Sequence, residues 1–87
     1  MISKTHPGYW KCFNALPLGV QNQAKERFNV WKQDAFNSSL QFKHLFDNVW
    51  SVRINQQYRG MGLRHGNMIV WFWIGTHAEY DQLLKRV

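Results

Sequence analysis

The stretch Val70–His77, VWFWIGTH, ends an apolar run with a glycine, a hydroxyl and an imidazole. In the continuation THAEY, Thr76 and Glu79 match the capping box of a helix N-terminus. His77 is then the first helical residue, and Tyr80 lies three residues further on the same face. Because the positive end of a helix disfavours an imidazolium, we expect His77 to be neutral near pH 7 and able to accept a proton. Taken alone, however, such a histidine is more often structural, and Tyr80 is more often a packed aromatic.

Basic side chains stand in segments that read as strands, where charges are less common than on helices. Arg53 lies on the strand face opposite Trp50, and we expect Arg59, in the next strand, at a sheet edge or on a polar rim. Lys43 belongs to an earlier strand, and Arg64 closes the strand of Arg59. Arg and Lys side chains that are held rigidly side by side could bind a phosphodiester. They could also stabilise the negative charge added in its transition state. Taken singly, however, each of these basic residues is equally well explained as a solvent-exposed charge on a strand.

The sequence contains no pattern that is typical of other catalytic, phosphate-binding or metal-binding sites. There are no paired carboxylates, no defensible Ser-His-Asp order, no phosphate-cradling glycine loop and no histidines at metal-ligand spacing. We therefore predict no metal and no cofactor. The net charge of +6 favours a polyanionic partner. A solvated basic surface and an acidic protein partner are the alternatives.

The length of 87 residues predicts a single domain, residues 1–87. The one cysteine, Cys12, excludes an internal disulfide and fits a reducing compartment. The N-terminal sequence MISKTHPGYW has no apolar signal region, and the longest apolar run, Met68–Ile74, is too short to span a bilayer. We therefore expect a cytoplasmic protein that does not enter a membrane.

The first half of the chain is predicted to form a helical hairpin. Pro7 suits the first turn of a helix, and Pro17 marks the joint to a second one. From Pro17 to about Phe36, apolar residues recur at steps of three and four, which is typical of an amphipathic helix.

The second half is predicted to form an antiparallel sheet of about four strands. They cover Leu40–Phe46, Val49–Asn55, Tyr58–Arg64 and Met68–Ile74, with a tight turn at Asp47-Asn48. The last strand is apolar on both faces, so we expect it in the interior, with its tryptophans buried rather than stacked on bases. A short C-terminal helix completes an α+β fold.

The ordered segments NSSLQFK, WSVRI, YRGMGLRHG and IVWFWIGTHAEYDQLL resemble the RelE/ParE superfamily of bacterial toxins from type II toxin–antitoxin systems. The resemblance extends from about Pro7 to Leu84, is strongest over Leu40–Val87, and is closest to RelE-like members ending in G-x-H-x-x-Y. It implies an antiparallel sheet that holds helices on one face.

The resemblance also implies a cognate antitoxin as partner and one of two activities. RelE-like members act with the ribosome and cleave mRNA without a metal, the 2′-OH of the substrate attacking the adjacent phosphate. ParE-like members bind DNA gyrase and are not nucleases. We predict an endoribonuclease, with the gyrase-type toxin as the alternative and an inactive antitoxin-binding remnant as a third possibility.

By position, Arg59 matches the family arginine expected to contact the scissile phosphate, and Arg53 matches the basic residue of the preceding strand. Lys43 is a weaker match to basic residues further upstream, while His77 and Tyr80 fall where acid–base and base-stacking residues occur. The predicted catalytic residues are therefore His77, Arg59 and Tyr80, and the predicted RNA- or phosphate-binding residues are Arg53, Lys43 and Arg64. The chain departs from the Lys/Arg-dense pattern of the best-known nucleases and lacks a second basic residue beside His77.

Overall fold

The computed structural model of the protein describes residues 1–86 and shows an α+β fold, as predicted. The predicted domain, residues 1–87, and the resemblance over Leu40–Val87 extend one residue beyond that range. Within residues 1–86 the chain forms three α-helices, five β-strands and a short 3₁₀ turn. In chain order these are β1 (Ile2–Thr5), α1 (Pro7–Asn14), α2 (Leu18–Gln33), the 3₁₀ turn (Ser38–Leu40), β2 (Lys43–Phe46), β3 (Val49–Arg53), β4 (Tyr58–His65), β5 (Met68–Thr76) and α3 (His77–Lys85).

The strands form one sheet in the order β1-β5-β4-β3-β2. Strands β2 to β5 pair antiparallel with their neighbours in sequence, which confirms the predicted meander. The prediction of about four strands after an N-terminal hairpin is wrong at the start of the chain. There, β1 precedes the helices and pairs in parallel with β5, with Ile2 opposite Met68 and Thr5 opposite Trp71. The sequence ISKT is short and has no regular apolar alternation, so its pairing with β5 is what defines it as a strand.

The two helices after β1 meet at Pro17, where the break was predicted. The Gly8 N–H donates to His6 Nδ1 (3.0 Å), and Pro7 occupies the first turn of α1. Helix α2 ends at Gln33, short of the predicted end near Phe36. None of the helices described is long and apolar enough to cross a membrane.

The face of the sheet that carries α1 and α2, here called the hairpin face, holds the apolar core. Its buried residues are Tyr9, Phe13, Ala24, Trp31, Leu40, Phe42, Val52, Ile54, Ile69, Trp71 and Ile74. Aromatic rings meet edge to face in this core: the centroids of Trp31 and Trp71 are 5.4 Å apart at 79°. Packing of these large rings supplies much of the burial available to so short a chain.

Helix α3 packs on the opposite face, here called the cleft face. Ser51 alternates with the core residue Val52 and therefore points to the cleft face, where the Tyr80 hydroxyl donates to Ser51 Oγ (3.3 Å). The implied arrangement with helices on one face is therefore wrong for α3. The cause is local, because α3 begins directly after β5 and its buried Tyr80 covers the polar side of β3.

Strand β5 lies between β1 and β4, which confirms its predicted interior position. Trp73 pairs with Met61 and Trp71 with Gly62, so Phe72 is the extra residue of a β-bulge. The bulge sends the two tryptophans to opposite faces, although a spacing of two predicts the same face. Trp71 is 1% exposed in the core, whereas Trp73 is half-buried beside α3.

Candidate active site

The candidate site begins where β5 passes into α3. The predicted capping box is confirmed: the Glu79 N–H donates to Thr76 Oγ1 (3.1 Å), and the Glu79 carboxylate accepts from the Thr76 N–H (3.0 Å). The His77 N–H donates to the Gln57 carbonyl (2.6 Å), which ties the helix start to the β3–β4 loop. Gly75 leaves room for the ring of Trp73 here, because an added Cβ would lie 2.5 Å from a ring carbon and force the ring to shift. Local hydrogen bonds thus hold the backbone of His77 in place.

A small cleft of about 160 Å³ opens beside this helix start. Its lining comprises Gln41, Lys43, Ser51, Arg53, Arg59, His77 and Tyr80. Five of the six predicted site residues therefore lie together, although they come from β2, β3, β4 and α3. Within residues 1–86, no three His, Cys, Asp or Glu side chains are grouped so that they could hold a metal ion.

Arg53 and Arg59 lie directly opposite one another on β3 and β4. Both are half-buried, and like charges at opposed positions destabilise a sheet. Burial, and then the Arg53 charge, lower the pKa of Arg59 below its ordinary value. Nη1 of Arg59 donates to the carbonyls of Asn55 and Tyr58, so its guanidinium is held in place. The pair is a concentrated positive charge that a bound anion would stabilise.

Arg59 was predicted to lie either at a sheet edge or on a polar rim, and its position in the sheet distinguishes these two alternatives. Strand β4 lies in the interior of the sheet, so Arg59 is not at a sheet edge. It is instead the second residue of β4, next to the β3–β4 loop, and it faces the cleft.

His77 is exposed at the cleft and contacts two residues of its own helix. Its Nε2 lies 3.3 Å from Asp81 Oδ1, and its ring centroid lies 5.7 Å from that of Tyr80. Asp81 is not among the predicted site residues, although its spacing of four residues from His77 on a helix is a signal that the sequence contains. The carboxylate orients the imidazole ring through this contact. An imidazole held in this way can accept a proton and release it again.

Tyr80 is 5% exposed, so its ring is part of the cleft wall and has little surface for stacking on a base. Its hydroxyl reaches Ser51 Oγ, and Ser51 is itself 1% exposed. Strand alternation puts Ser51 on the same face as Arg53, but Ser51 is not among the residues predicted for the site. No pattern in the sequence links Ser51 to Tyr80, because the contact joins residues 29 positions apart.

The structure does not bring Arg64 together with the other basic residues of the predicted site. Its guanidinium carbon lies 4.6 Å from the centroid of the Trp50 ring, and its Nε donates to the Gly66 carbonyl (3.1 Å). Arg64 pairs with the core residue Ile69, so it belongs to the hairpin face. The reason is the alternation of the strand, because Arg64 lies five positions after Arg59 and an odd offset reverses the face.

The sequence over residues 18–82 matches the family described as the ParE-like toxin domain. No curated protein sequence matches the chain at a significant level.

Solved structures with low sequence identity share the fold. The chain matched in the RelB-RelE antitoxin-toxin complex from Methanococcus jannaschii has a TM-score of 0.74 at 13% identity, over 92% of this chain and 96% of that one. YafQ from Escherichia coli has a TM-score of 0.72 at 8% identity, over 90% and 94%. The isolated RelE toxin of Escherichia coli has a TM-score of 0.65 at 12% identity, over 98% and 96%.

At these identities the solved structures establish the fold, whereas the family match rests on the sequence of most of the chain. The protein therefore belongs to the ParE-like toxin domain family, within the RelE/ParE superfamily of toxins from toxin–antitoxin systems.

Proposed function

We propose that this protein inhibits translation by cleaving mRNA on the ribosome, in the cytoplasm, and that the cleft beside α3 is the active site. The observation that carries the proposal is the placement of two opposed arginines, a histidine and a tyrosine around one small cleft. The family resemblance implies an endoribonuclease, and the isolated RelE toxin of Escherichia coli shares the fold of this chain. The reaction needs three things from the protein: a site for the phosphate, a proton acceptor and a proton donor.

Arg53 and Arg59 bind the scissile phosphate. The attack of the 2′-OH on phosphorus adds negative charge to the phosphate oxygens. Two adjacent guanidinium groups stabilise this added charge more than they stabilise the phosphate of the ground state. Binding also relieves the repulsion between the two arginines, which is otherwise unfavourable in the empty cleft. Lys43, which also lines the cleft, contacts a neighbouring phosphate of the RNA.

His77 exchanges the proton. As a neutral imidazole it takes the proton of the 2′-OH while the 2′-oxygen forms its bond to phosphorus. The bond from phosphorus to the 5′-oxygen breaks, and the leaving oxygen takes a proton from an acid of the cleft. The products are a 2′,3′-cyclic phosphate and a 5′-hydroxyl. Asp81 stabilises the imidazolium formed. The Tyr80 hydroxyl, which otherwise donates to Ser51 Oγ, gives its proton to the leaving 5′-oxygen and regains one from the imidazolium.

The test is to express wild type, His77→Ala and His65→Ala in a bacterium and to map mRNA ends on ribosomes. His65 is an exposed histidine at the end of β4, outside the cleft, and serves as the matched control. We expect new ends with wild type and His65→Ala, and about 10²- to 10⁴-fold fewer with folded His77→Ala. Growth arrest without new ends would contradict the proposal, as would unchanged cleavage by His77→Ala.

A gyrase-type toxin is the second candidate, and the description of the matching family as ParE-like favours it. It predicts that His77→Ala remains toxic and that supercoiling defects or DNA breaks replace mRNA cleavage. Loss of toxicity in a folded His77→Ala variant would exclude this candidate. Absence of toxicity in the wild type would indicate an inactive remnant.

For either activity we propose a cognate antitoxin as partner, because a RelE-fold chain forms an antitoxin–toxin complex in Methanococcus jannaschii. The net charge of +6 favours an acidic antitoxin segment. Co-expression with the product of an adjacent small gene, followed by co-purification and relief of growth arrest, tests this partner.

A further inference from the structure

A serine hydroxyl is buried in the wall of the cleft. Aromatic residues aside, Ser51 is the one polar side chain that is buried within residues 1–86. It lies in the middle of β3, with Lys43 opposite it on β2 and Met61 opposite it on β4. Burial of a hydroxyl costs free energy unless the hydroxyl forms a hydrogen bond. Ser51 Oγ accepts such a bond from the Tyr80 hydroxyl of α3 (3.3 Å), so the contact joins the sheet to the helix that also carries His77.

The hydrogen of the Ser51 hydroxyl is not used in this contact. A serine hydroxyl has one hydrogen to donate and two lone pairs that accept, and it rotates to suit its partner. Tyr80 is the donor in the observed bond. The cross-strand neighbours offer the hydrogen of Ser51 little, because the Lys43 ammonium accepts no hydrogen bond and the Met61 sulfur accepts only weakly. Ser51 can therefore accept from a neutral Tyr80 and, after rotation, donate to a Tyr80 phenolate.

The other neighbours of Tyr80 in the cleft also suit a negative charge on its oxygen. Burial, and then the Arg53 charge, lower the pKa of Arg59, whereas interaction with Tyr80, and then with Asp81, raises it. A charged Tyr80 oxygen would thus lie within electrostatic reach of the Arg59 guanidinium. A guanidinium and a hydroxyl that can donate are groups that stabilise an oxyanion.

We propose that Ser51 is a positioning residue that acts through Tyr80 in the cleavage reaction. Before the reaction, its oxygen holds the Tyr80 hydroxyl in the cleft wall. As the bond from phosphorus to the 5′-oxygen breaks, the Tyr80 proton passes to that oxygen, and Ser51 donates a hydrogen bond to the phenolate left behind. Ser51 keeps its own proton throughout, and Tyr80 regains one from the His77 imidazolium. This inference rests on the proposed nuclease function and assigns a role to the buried serine of the cleft.

The test separates help to the leaving group from a purely structural role. Its substrate is a short mRNA on the ribosome, cleaved at a linkage that is first located by mapping the ends made by wild type. That linkage is either ordinary or carries sulfur in place of the bridging 5′-oxygen. Because a thiolate departs without needing a proton, a defect in proton donation disappears with the sulfur linkage.

The variants are Ser51→Ala, Tyr80→Phe and the two combined, with circular dichroism to check folding. Tyr58→Phe is the matched control, because Tyr58 packs against the core of the hairpin face and does not line the cleft. Ser51→Cys fills the buried position with a weak donor and replaces Ser51→Ala if that variant does not fold.

With the ordinary linkage, we expect Ser51→Ala to cleave about 10- to 100-fold more slowly than wild type, because a hydrogen bond to a charged oxygen is lost. Tyr80→Phe should be at least as slow, and Ser51→Ala added to it should cause no further loss. With the sulfur linkage, each of these variants should cleave as fast as wild type. Tyr58→Phe should match wild type with both linkages.

Equal slowing of Ser51→Ala with both linkages would indicate a structural role or a contact with the phosphate, and would overturn the assignment. Full activity of Ser51→Ala with the ordinary linkage would overturn it too, as would a further loss in the double variant. These outcomes leave the nuclease intact. A wild type that cleaves neither linkage would overturn the nuclease itself, which separates the two failures.

Discussion

The two faces of the sheet carry two clefts of opposite character. The hairpin face has a groove of about 350 Å³, lined mainly by the aromatic rings of Tyr9, Trp10, Phe13, Phe28 and Trp71. The cleft face has a cavity of about 160 Å³, lined by cations, hydroxyls, an amide and an imidazole. The larger and more apolar cavity is the usual first choice for a binding site. Here the smaller one contains the residues that a phosphodiester requires, so side-chain chemistry identifies the site and size does not.

The difference follows from what each face buries. On the hairpin face, two helices cover the sheet, and large rings fill the space between them. On the cleft face, the short helix α3 covers only part of the sheet, so polar side chains of β3 and β4 stay accessible next to it. We therefore expect changes on the hairpin face to affect stability and changes in the cleft to affect activity.

Truncation of Trp71 should have the largest effect. Trp71→Ala removes a ring that contacts Phe28, Trp31 and Phe42 in the core, and it should lower the free energy of unfolding by about 3–5 kcal/mol. Trp73→Ala, two residues on but at the other face, should cost on the order of 1–2 kcal/mol. Urea denaturation measures both. Equal losses for the two variants would show that the bulge at Phe72 does not separate them as described.

Replacement of Arg59 should abolish most of the activity and spare the fold. Arg59→Gln removes a charge that faces the phosphate, and we expect roughly 10²- to 10³-fold less cleavage. Arg64→Gln changes an arginine of the same strand on the other face and should leave cleavage unchanged. The measurement is the mapping of mRNA ends, with circular dichroism to check folding. A comparable loss in Arg64→Gln would contradict the division of the two faces.

Raising the pH should reduce the stability of the fold through the buried Tyr9, with a smaller effect than the substitutions above. Burial raises the pKa of Tyr9 above its ordinary value. Its contribution to stability is therefore complete below the unfolded pKa of about 10 and is lost as the pH rises above it, by at most about 1.4 kcal/mol per pH unit. Because other groups titrate there as well, the measurement is the difference between wild type and Tyr9→Phe in denaturant unfolding. A difference that stays constant from pH 8 to pH 11 would contradict this effect.

The sequence predicts those parts of the molecule that depend on near neighbours. The capping box Thr76–Glu79 and the break at Pro17 are local patterns, and each is present in the structure. The meander of β2 to β5 follows from short turns between apolar strands, which leave few other pairings open.

Features that depend on distant partners were missed. Strand β1 forms because it pairs with β5, more than sixty residues away. The sequence ISKT contains no pattern that predicts a strand. The bulge at Phe72 reverses the faces of two tryptophans without a sequence signal such as glycine or proline. The Ser51–Tyr80 contact likewise depends on packing between elements.

By itself the sequence determined the class of fold, the start of α3 and the types of residue available for chemistry, because helix caps and strand alternation act over a few residues. Only the tertiary structure decided which of those residues meet. Strand register and the position of α3 bring Lys43, Arg53 and Arg59 next to His77 and Tyr80, while alternation along β4 takes Arg64 to the other face. Those relations are set by the packing of one element on another, which no local pattern encodes.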